Sequence, residues 1–176
     1  MRKLLNEELD RLSVEEYRKS KKIPVVVVLD NIRSQNNIGS VFRTADAFRL
    51  ERIMLCGITA TPPHREIHKT ALGATETVQW EYWKQTPDAV ADLKKKGYQI
   101  ISVEQVENGD SLDRLELLPS HRYAVVFGHE IRGVDQRVVD MSDRCIEIPQ
   151  YGTKHSLNIA VAAGIVIWEI FRQLSR

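Results

Sequence analysis

The 176-residue chain has only two cysteines, Cys56 and Cys145, far apart and in no Cys-x-x-Cys pair. That scarcity excludes a disulfide framework and a cysteine-based zinc site, and it reads as buried thiols in a reducing compartment. Excess charge of one sign is also missing. The 25 Lys+Arg and 24 Asp+Glu leave a formal net charge of +1, so no overall basic field announces a nucleic-acid partner. A local basic face is still compatible with those totals. No apolar run reaches the ~20 residues that a membrane-spanning helix needs, because Glu169 and Arg172 interrupt the longest one. The first residues, Met1-Arg2-Lys3-Leu4-Leu5-Asn6-Glu7-Glu8, turn polar too early for a secretory signal. The expected setting is the cytoplasm, with no membrane partner. Neither Gly-x-Gly-x-x-Gly nor Gly-x-x-x-x-Gly-Lys occurs, so dinucleotide and P-loop readings lose support. His64 and His68 stand four apart, but Pro62-Pro63 precedes them and no third ligand is evident, so no metal is expected.

What is present is an alternation of strands and helices. Ile23-Pro24-Val25-Val26-Val27-Val28-Leu29 is a continuous β-branched run, as expected of a strand buried on both faces of a parallel sheet. Further strands are expected at Arg52–Cys56, Thr77–Tyr82, Tyr98–Val103, Tyr123–Phe127 and Arg144–Ile148. Ile38, Val41, Phe42, Ala45 and Phe48 mark one face of a helix, and Thr86-Pro87-Asp88 opens another that Gly97 ends. Leu157–Leu174 is apolar on nearly every face, which asks for cover on all sides and suggests a second subunit as part of it. Residues 1–22 read as a charged amphipathic helical extension, with a capping box at Ser13-Val14-Glu15-Glu16. The fold class is therefore α/β with a mostly parallel sheet flanked by helices, and residues 23–176 form its domain.

In such sheets ligands sit beyond the carboxyl ends of the strands, where three loops fall. The first, residues 30–37, carries Arg33 and three asparagines and feeds the helix bearing Arg43; Asn37 is placed to cap that helix. Arg43 either pairs with Asp46 one turn on or clamps a phosphate or ribose. The second, Gly128-His129-Glu130-Ile131-Arg132-Gly133, sets a carboxylate two positions after a strand-end glycine. The third runs Pro149-Gln150-Tyr151-Gly152-Thr153-Lys154-His155-Ser156-Leu157-Asn158 into the last helix, with Ser156 as a candidate N-cap.

Together the loops resemble the three motifs of the SpoU (TrmH-type) family of RNA ribose 2′-O-methyltransferases, within the SPOUT superfamily. Asn37-x-Gly39-x-x-x-Arg43-Thr44-Ala45-Asp46-Ala47-Phe48 resembles the first motif. Phe127-Gly128-x-Glu130-x-x-Gly133 resembles the second, and Ile148-Pro149 with Ser156-Leu157-Asn158-x-Ala160-x-Ala162 the third. The resemblance covers roughly residues 23–174. It implies a carboxyl-terminal deep trefoil knot, a homodimer, and S-adenosylmethionine as methyl donor beside Gly128, Ile148 and Leu157. It further implies a catalytic role for Arg43, with Asn37, Glu130, Ser156 and Asn158 as polar site residues. Lys69, in a segment that also resembles the family, joins Arg33 and Lys154 as a candidate RNA contact. Transfer RNA is expected ahead of ribosomal RNA, because the chain carries only a short extension. Two other readings are a non-catalytic dimeric RNA-binding protein on the same fold and an RNA base methyltransferase.

Overall fold

The computed structural model describes residues 1–175. Its strands are β1 (Ile23–Asp30), β2 (Leu50–Cys56), β3 (Trp80–Trp83), β4 (Tyr98–Val103), β5 (Asp110–Ser111), β6 (Arg122–Phe127) and β7 (Arg144–Glu147). Its helices are α1 (Val14–Lys19), α2 (Gln35–Ala47), α3 (Arg65–Ala71), α4 (Ala74–Thr77), α5 (Thr86–Lys95), α6 (Gln136–Met141) and α7 (Ile159–Leu174). All seven strands pair in parallel, in the order β3-β2-β1-β6-β4-β7-β5. The valine run of β1 lies near the middle and is wholly buried from Val25 to Leu29. Because successive side chains point to opposite faces, Val25, Val27 and Leu29 pack with α2 and α7, while Val26 and Val28 pack with α5 and α6. Residues 23–56 and 80–83 build outward on one side of β1, and the chain then returns to lay β4, β6 and β7 on the other. Such a reversal of strand order opens a crevice at the carboxyl edge.

Helix α2 is held close to α3 by its glycine. A Cβ on Gly39 would stand 2.3 Å from the carbonyl oxygen of Ile67 and 2.1 Å from Oγ1 of Thr70. Thr70 Oγ1 in turn donates to the carbonyl of Asn36 at 3.0 Å. The glycine of the first motif is thus a packing glycine that sets Asn37 and Arg43 beside α3.

Several expectations change. Thr77–Tyr82 is not one strand: Ala74–Thr77 forms a helical turn, and the strand starts at Trp80. Thr77 directs its hydroxyl to Asp46 and to the Ala74 carbonyl, which holds it in that turn. The last strand stops at Glu147 rather than Ile148. Residues 1–22 are not one helix. The helical part is α1, with the expected capping box at Ser13 and Glu16, preceded by a 3-10 turn at Asn6–Glu8. Asp10 takes a left-handed backbone (φ 45°), which a continuous right-handed helix does not accommodate. Tyr17 of α1 is buried in the core, and Arg18 donates to the Glu76 carbonyl at 2.7 Å, so this segment is fastened to the sheet domain.

Candidate functional site

The site is built where β4, β6 and β7 end. A cavity of about 470 Å³ opens there, lined among others by Phe127, Gly128, Glu130, Ile148, Ser156, Leu157 and Asn158. Six of the expected site residues therefore meet at one cavity: Gly128, Glu130, Ile148, Ser156, Leu157 and Asn158. Its size lies within the range of small-molecule sites. Gly128 has no room for a side chain, since a Cβ would stand 2.2 Å from the backbone of Gly133 and Val134. This close approach follows from the turn itself. His129 N–H donates to the Gly133 carbonyl at 3.0 Å, Gly133 N–H returns a bond at 2.8 Å, and Gly133 is left-handed (φ 68°).

The second loop fastens the first through one carboxylate. Glu130 accepts the backbone N–H groups of Arg33 at 3.1 Å and Ser34 at 3.0 Å, and the side-chain amide of Asn37 at 3.4 Å. Asn37 Oδ1 then accepts from Nδ2 of Asn158 at 3.2 Å, which ties in the third loop. One connected set of hydrogen bonds thereby joins all three loops. Partial burial pushes the Glu130 carboxyl up, but the bonds from Arg33, Ser34 and Asn37 outweigh it and hold the group below its ordinary value.

Capping differs from expectation at both helices. Ser34, not Asn37, caps α2, accepting the Asn37 N–H at 3.3 Å; this frees the Asn37 side chain for Glu130 and Asn158. At α7 the cap is Asn158, whose Oδ1 accepts Ala160 N–H at 2.8 Å, so the helix starts at Ile159 and Ser156 stays in the exposed loop. Asn158 thus uses its oxygen for the helix and its nitrogen for Asn37. Its two ends differ, and a swap for aspartate would lose the second contact.

Arg43 does not line the cavity. It is exposed on α2, on the helical face that also carries Asn36 and Ser40, and it forms no ion pair among the described residues. Among the described residues Arg43 makes no ion pair with Asp46, whose Oδ2 accepts from Thr77 instead. Arg33 and Lys154 are exposed in the first and third loops, and Lys69 is exposed on α3. The expected polar residues thus fall into two groups, one around the cavity and one on the adjoining surface.

Sequence reasoning missed Glu104 and Gln105, at the end of β4. Glu104 lines the cavity and accepts Val134 N–H at 2.8 Å, bracing the second loop from below. Gln105 donates to the His155 carbonyl at 3.0 Å and holds the third loop. The signal was available: a carboxylate directly after a buried strand, closer still to the strand end than Glu130, which stands three residues past β6. Glu104, Glu130 and Glu147 all line the cavity, which has no lysine or arginine among its described lining residues. Such a wall favours a cationic ligand with an apolar part over a phosphate-rich one. Among the described residues no group of three or more His, Cys, Asp and Glu could hold a metal ion. His64 instead caps α3, its Nδ1 accepting Glu66 N–H at 3.3 Å.

The carboxylate tie has a pH signature. A group whose folded-state pKa is depressed adds stability above its unfolded value, near ~4.3 for glutamate, and loses it as pH falls through the folded value. The melting-temperature gap between wild type and Glu130→Gln is therefore expected to be full at pH 7 and to close below about pH 4. Thermal melts over that range check this, and a gap that stays constant down to pH 3 contradicts it.

Residues 24–168 match the SpoU rRNA methylase family. The chain is 31% identical over 152 residues to the 23S rRNA (guanosine-2′-O-)-methyltransferase RlmB of Nitrosomonas europaea, covering 86% of this chain and 57% of that protein. It is 29% identical to a protein of Staphylococcus saprophyticus named for the TrmH family of tRNA/rRNA methyltransferases, covering 91% and 63%. The chain thus spans about three fifths of the length of these curated relatives. Among solved structures, the AdoMet-bound rRNA methyltransferase of Sinorhizobium meliloti superposes with a TM-score of 0.81 at 26% identity, over 90% of this chain and 60% of that one. The A. aeolicus TrmH/SpoU tRNA modifying enzyme gives 0.81 at 23% identity, over 92% and 82%, a likeness of fold. On the extent of the match over residues 24–168, this chain belongs to the SpoU rRNA methylase family.

Proposed function

We propose that this protein methylates RNA on a ribose 2′-hydroxyl, with S-adenosylmethionine as the donor. The observation that carries the reading is the joining of the three loops by Glu130, Asn37 and Asn158 around a glycine-floored, acid-lined cavity. Gly128, Ile148 and Leu157 would hold the donor, whose sulfonium presents an electrophilic methyl group when bound. The carboxylates of the lining suit its positive charge, and the absence of a Cβ at Gly128 lets the turn close on Gly133 and Val134 beside the cavity.

A ribose hydroxyl is a weak nucleophile and must lose its proton as the oxygen bonds to carbon. A guanidinium carries donors and no acceptor, so Arg43 does not serve as the base. Exposed beside the first loop and without an ion-pair partner among the described residues, it can grip an RNA phosphate and stabilise negative charge developing on the ribose oxygen. The proton passes to a phosphate oxygen or to water. Asn37, Glu130, Ser156 and Asn158 orient the loops around the reacting groups, and Arg33, Lys69 and Lys154 contact the RNA backbone. A hydroxyl acceptor, rather than a base, suits a site beside which Arg43 has no ion-pair partner among the described residues. Transfer RNA is the first substrate to assay and ribosomal RNA the second, since the relatives' names span both. The cytoplasm, where both substrates occur, is the proposed setting.

We also take residues 1–22 as an extension fastened to a methyltransferase domain of residues 23–176. The trefoil knot that the family resemblance implies belongs to this proposal. Its support is the path of residues 148–158, which leave β7 and deliver α7 onto α2 in another part of the fold. A homodimer is supported by α7. Val161, Ile165 and Trp168 form an exposed apolar stripe at successive turns of an otherwise packed helix. Light scattering should give a dimer for wild type and a monomer for Val161→Asp; a monomeric wild type would overturn the dimer.

Calorimetry and a methyl-transfer assay separate the two halves of the site. Gly128→Ala is expected to abolish donor binding. Arg43→Ala is expected to bind S-adenosylmethionine normally and to lose about 100-fold or more in turnover on RNA. Normal turnover by Arg43→Ala would remove the arginine from the mechanism, and normal donor binding by Gly128→Ala would remove the cavity.

A further inference from the structure

A second cavity, of about 250 Å³, lies at the carboxyl ends of β1, β2 and β3. Its wall holds Asn31, Ile58, Tyr82 and Lys84, and Asp135 closes the side toward the first cavity. Two exposed apolar surfaces meet there: Ile58 is 64% exposed and the Tyr82 side chain lies on an open rim at 49%. The Tyr82 hydroxyl donates to the Gly57 carbonyl at 2.9 Å, which fixes the ring in place. Lys84 is exposed and has no ion-pair partner among the described residues. A fixed, exposed aromatic ring next to an apolar side chain and a free ammonium group is the set of features that takes a stacked nucleobase with its phosphate.

The two cavities are neighbours across one ridge. Asn31 lines the second, while Arg33, two residues on, gives its N–H to Glu130 at the first. Gly133 lines the first, and Asp135, again two residues on, lines the second. Two residues span at most about 7 Å, so each stretch crosses from one cavity to the other within the reach of a single nucleotide step. The ridge is rigid. The buried carboxylate of Asp30 accepts Asp135 N–H at 2.8 Å, the Asn31 side-chain amide at 2.8 Å and the Thr86 hydroxyl at 2.5 Å.

We propose that the second cavity receives the base of a nucleotide adjacent to the methylated one, stacked on Tyr82 with its phosphate on Lys84. The proposal rests on the RNA reading above and extends it. A nucleotide whose ribose faces the first cavity would lie against the ridge, and its neighbour would be delivered to Tyr82. Preference would then follow from stacking rather than from a pattern of base-edge hydrogen bonds, so the subsite favours unpaired RNA whose bases can turn outward.

The test is anisotropy of a fluorescein-labelled ten-nucleotide single-stranded RNA with the full chain, run alongside calorimetry with S-adenosylmethionine. Tyr82→Ala is expected to weaken RNA binding about fivefold or more, and Tyr82→Phe, which keeps the ring, to stay within about twofold of wild type. Lys84→Ala is expected to weaken binding and to lower the slope of log affinity against log salt by about 0.7. Donor affinity should be unchanged in all three, which also reports that they fold. Wild-type affinity in both Tyr82→Ala and Lys84→Ala overturns this subsite and leaves the methyltransferase reading standing. A wild-type protein that binds neither this RNA nor transfer RNA overturns that reading and this inference with it.

Discussion

The joining of the three loops at the carboxyl edge of the sheet depends on the carboxylate of Glu130. Alone, the second loop is a tight turn that ends a strand, and the first is a polar run that opens a helix. Two backbone N–H groups of the first loop would lack partners without Glu130, and the Asn37 side chain would lose one of its anchors. Negative charge is favourable there because its donors sit at the start of α2, where the helix dipole adds to the hydrogen bonds. The residue fixes loop positions and thereby the cavity mouth. A loss at Glu130 would be felt at Asn158, on the far side of the site, through Asn37.

The asparagines carry this network because each presents a donor and an acceptor at once. Asn158 caps α7 with its oxygen and meets Asn37 with its nitrogen, so the start of the last helix and the site geometry are one feature. This helix also carries the apolar stripe of Val161, Ile165 and Trp168. If a second copy covers that stripe, assembly and site formation act on the same element. The exposed Arg43 belongs to the other half of the design. It is placed by the packing of α2 on α3 at Gly39, and it is held by no counter-ion among the described residues.

Much of this was legible in the residues. The valine run of β1 announced a central parallel strand, and alternating segments announced the α/β class. Three loops at strand ends, each with a polar or glycine signature, announced the position of the site. What escaped notice was settled by contacts distant in sequence. Thr77 reads as a strand residue until Asp46, 31 positions away, takes its hydroxyl. Asn37 reads as a helix cap until Ser34 takes that task and Glu130 claims its amide. Glu104 carried a visible signal, a carboxylate just past a buried strand, but only the fold shows it beneath Gly133. Asp30 and the second cavity were invisible, because Asp30, Thr86 and Asp135 come together only in the folded sheet.

The central claim is that the three loops deliver a methyl group to a ribose oxygen. The most direct measurement incubates the protein with transfer RNA or ribosomal RNA and methyl-labelled S-adenosylmethionine, digests the RNA to nucleosides, and locates the label by mass spectrometry. The account predicts label on a 2′-O-methylated ribose. Label on a base, or no label on either RNA with donor bound, would contradict it.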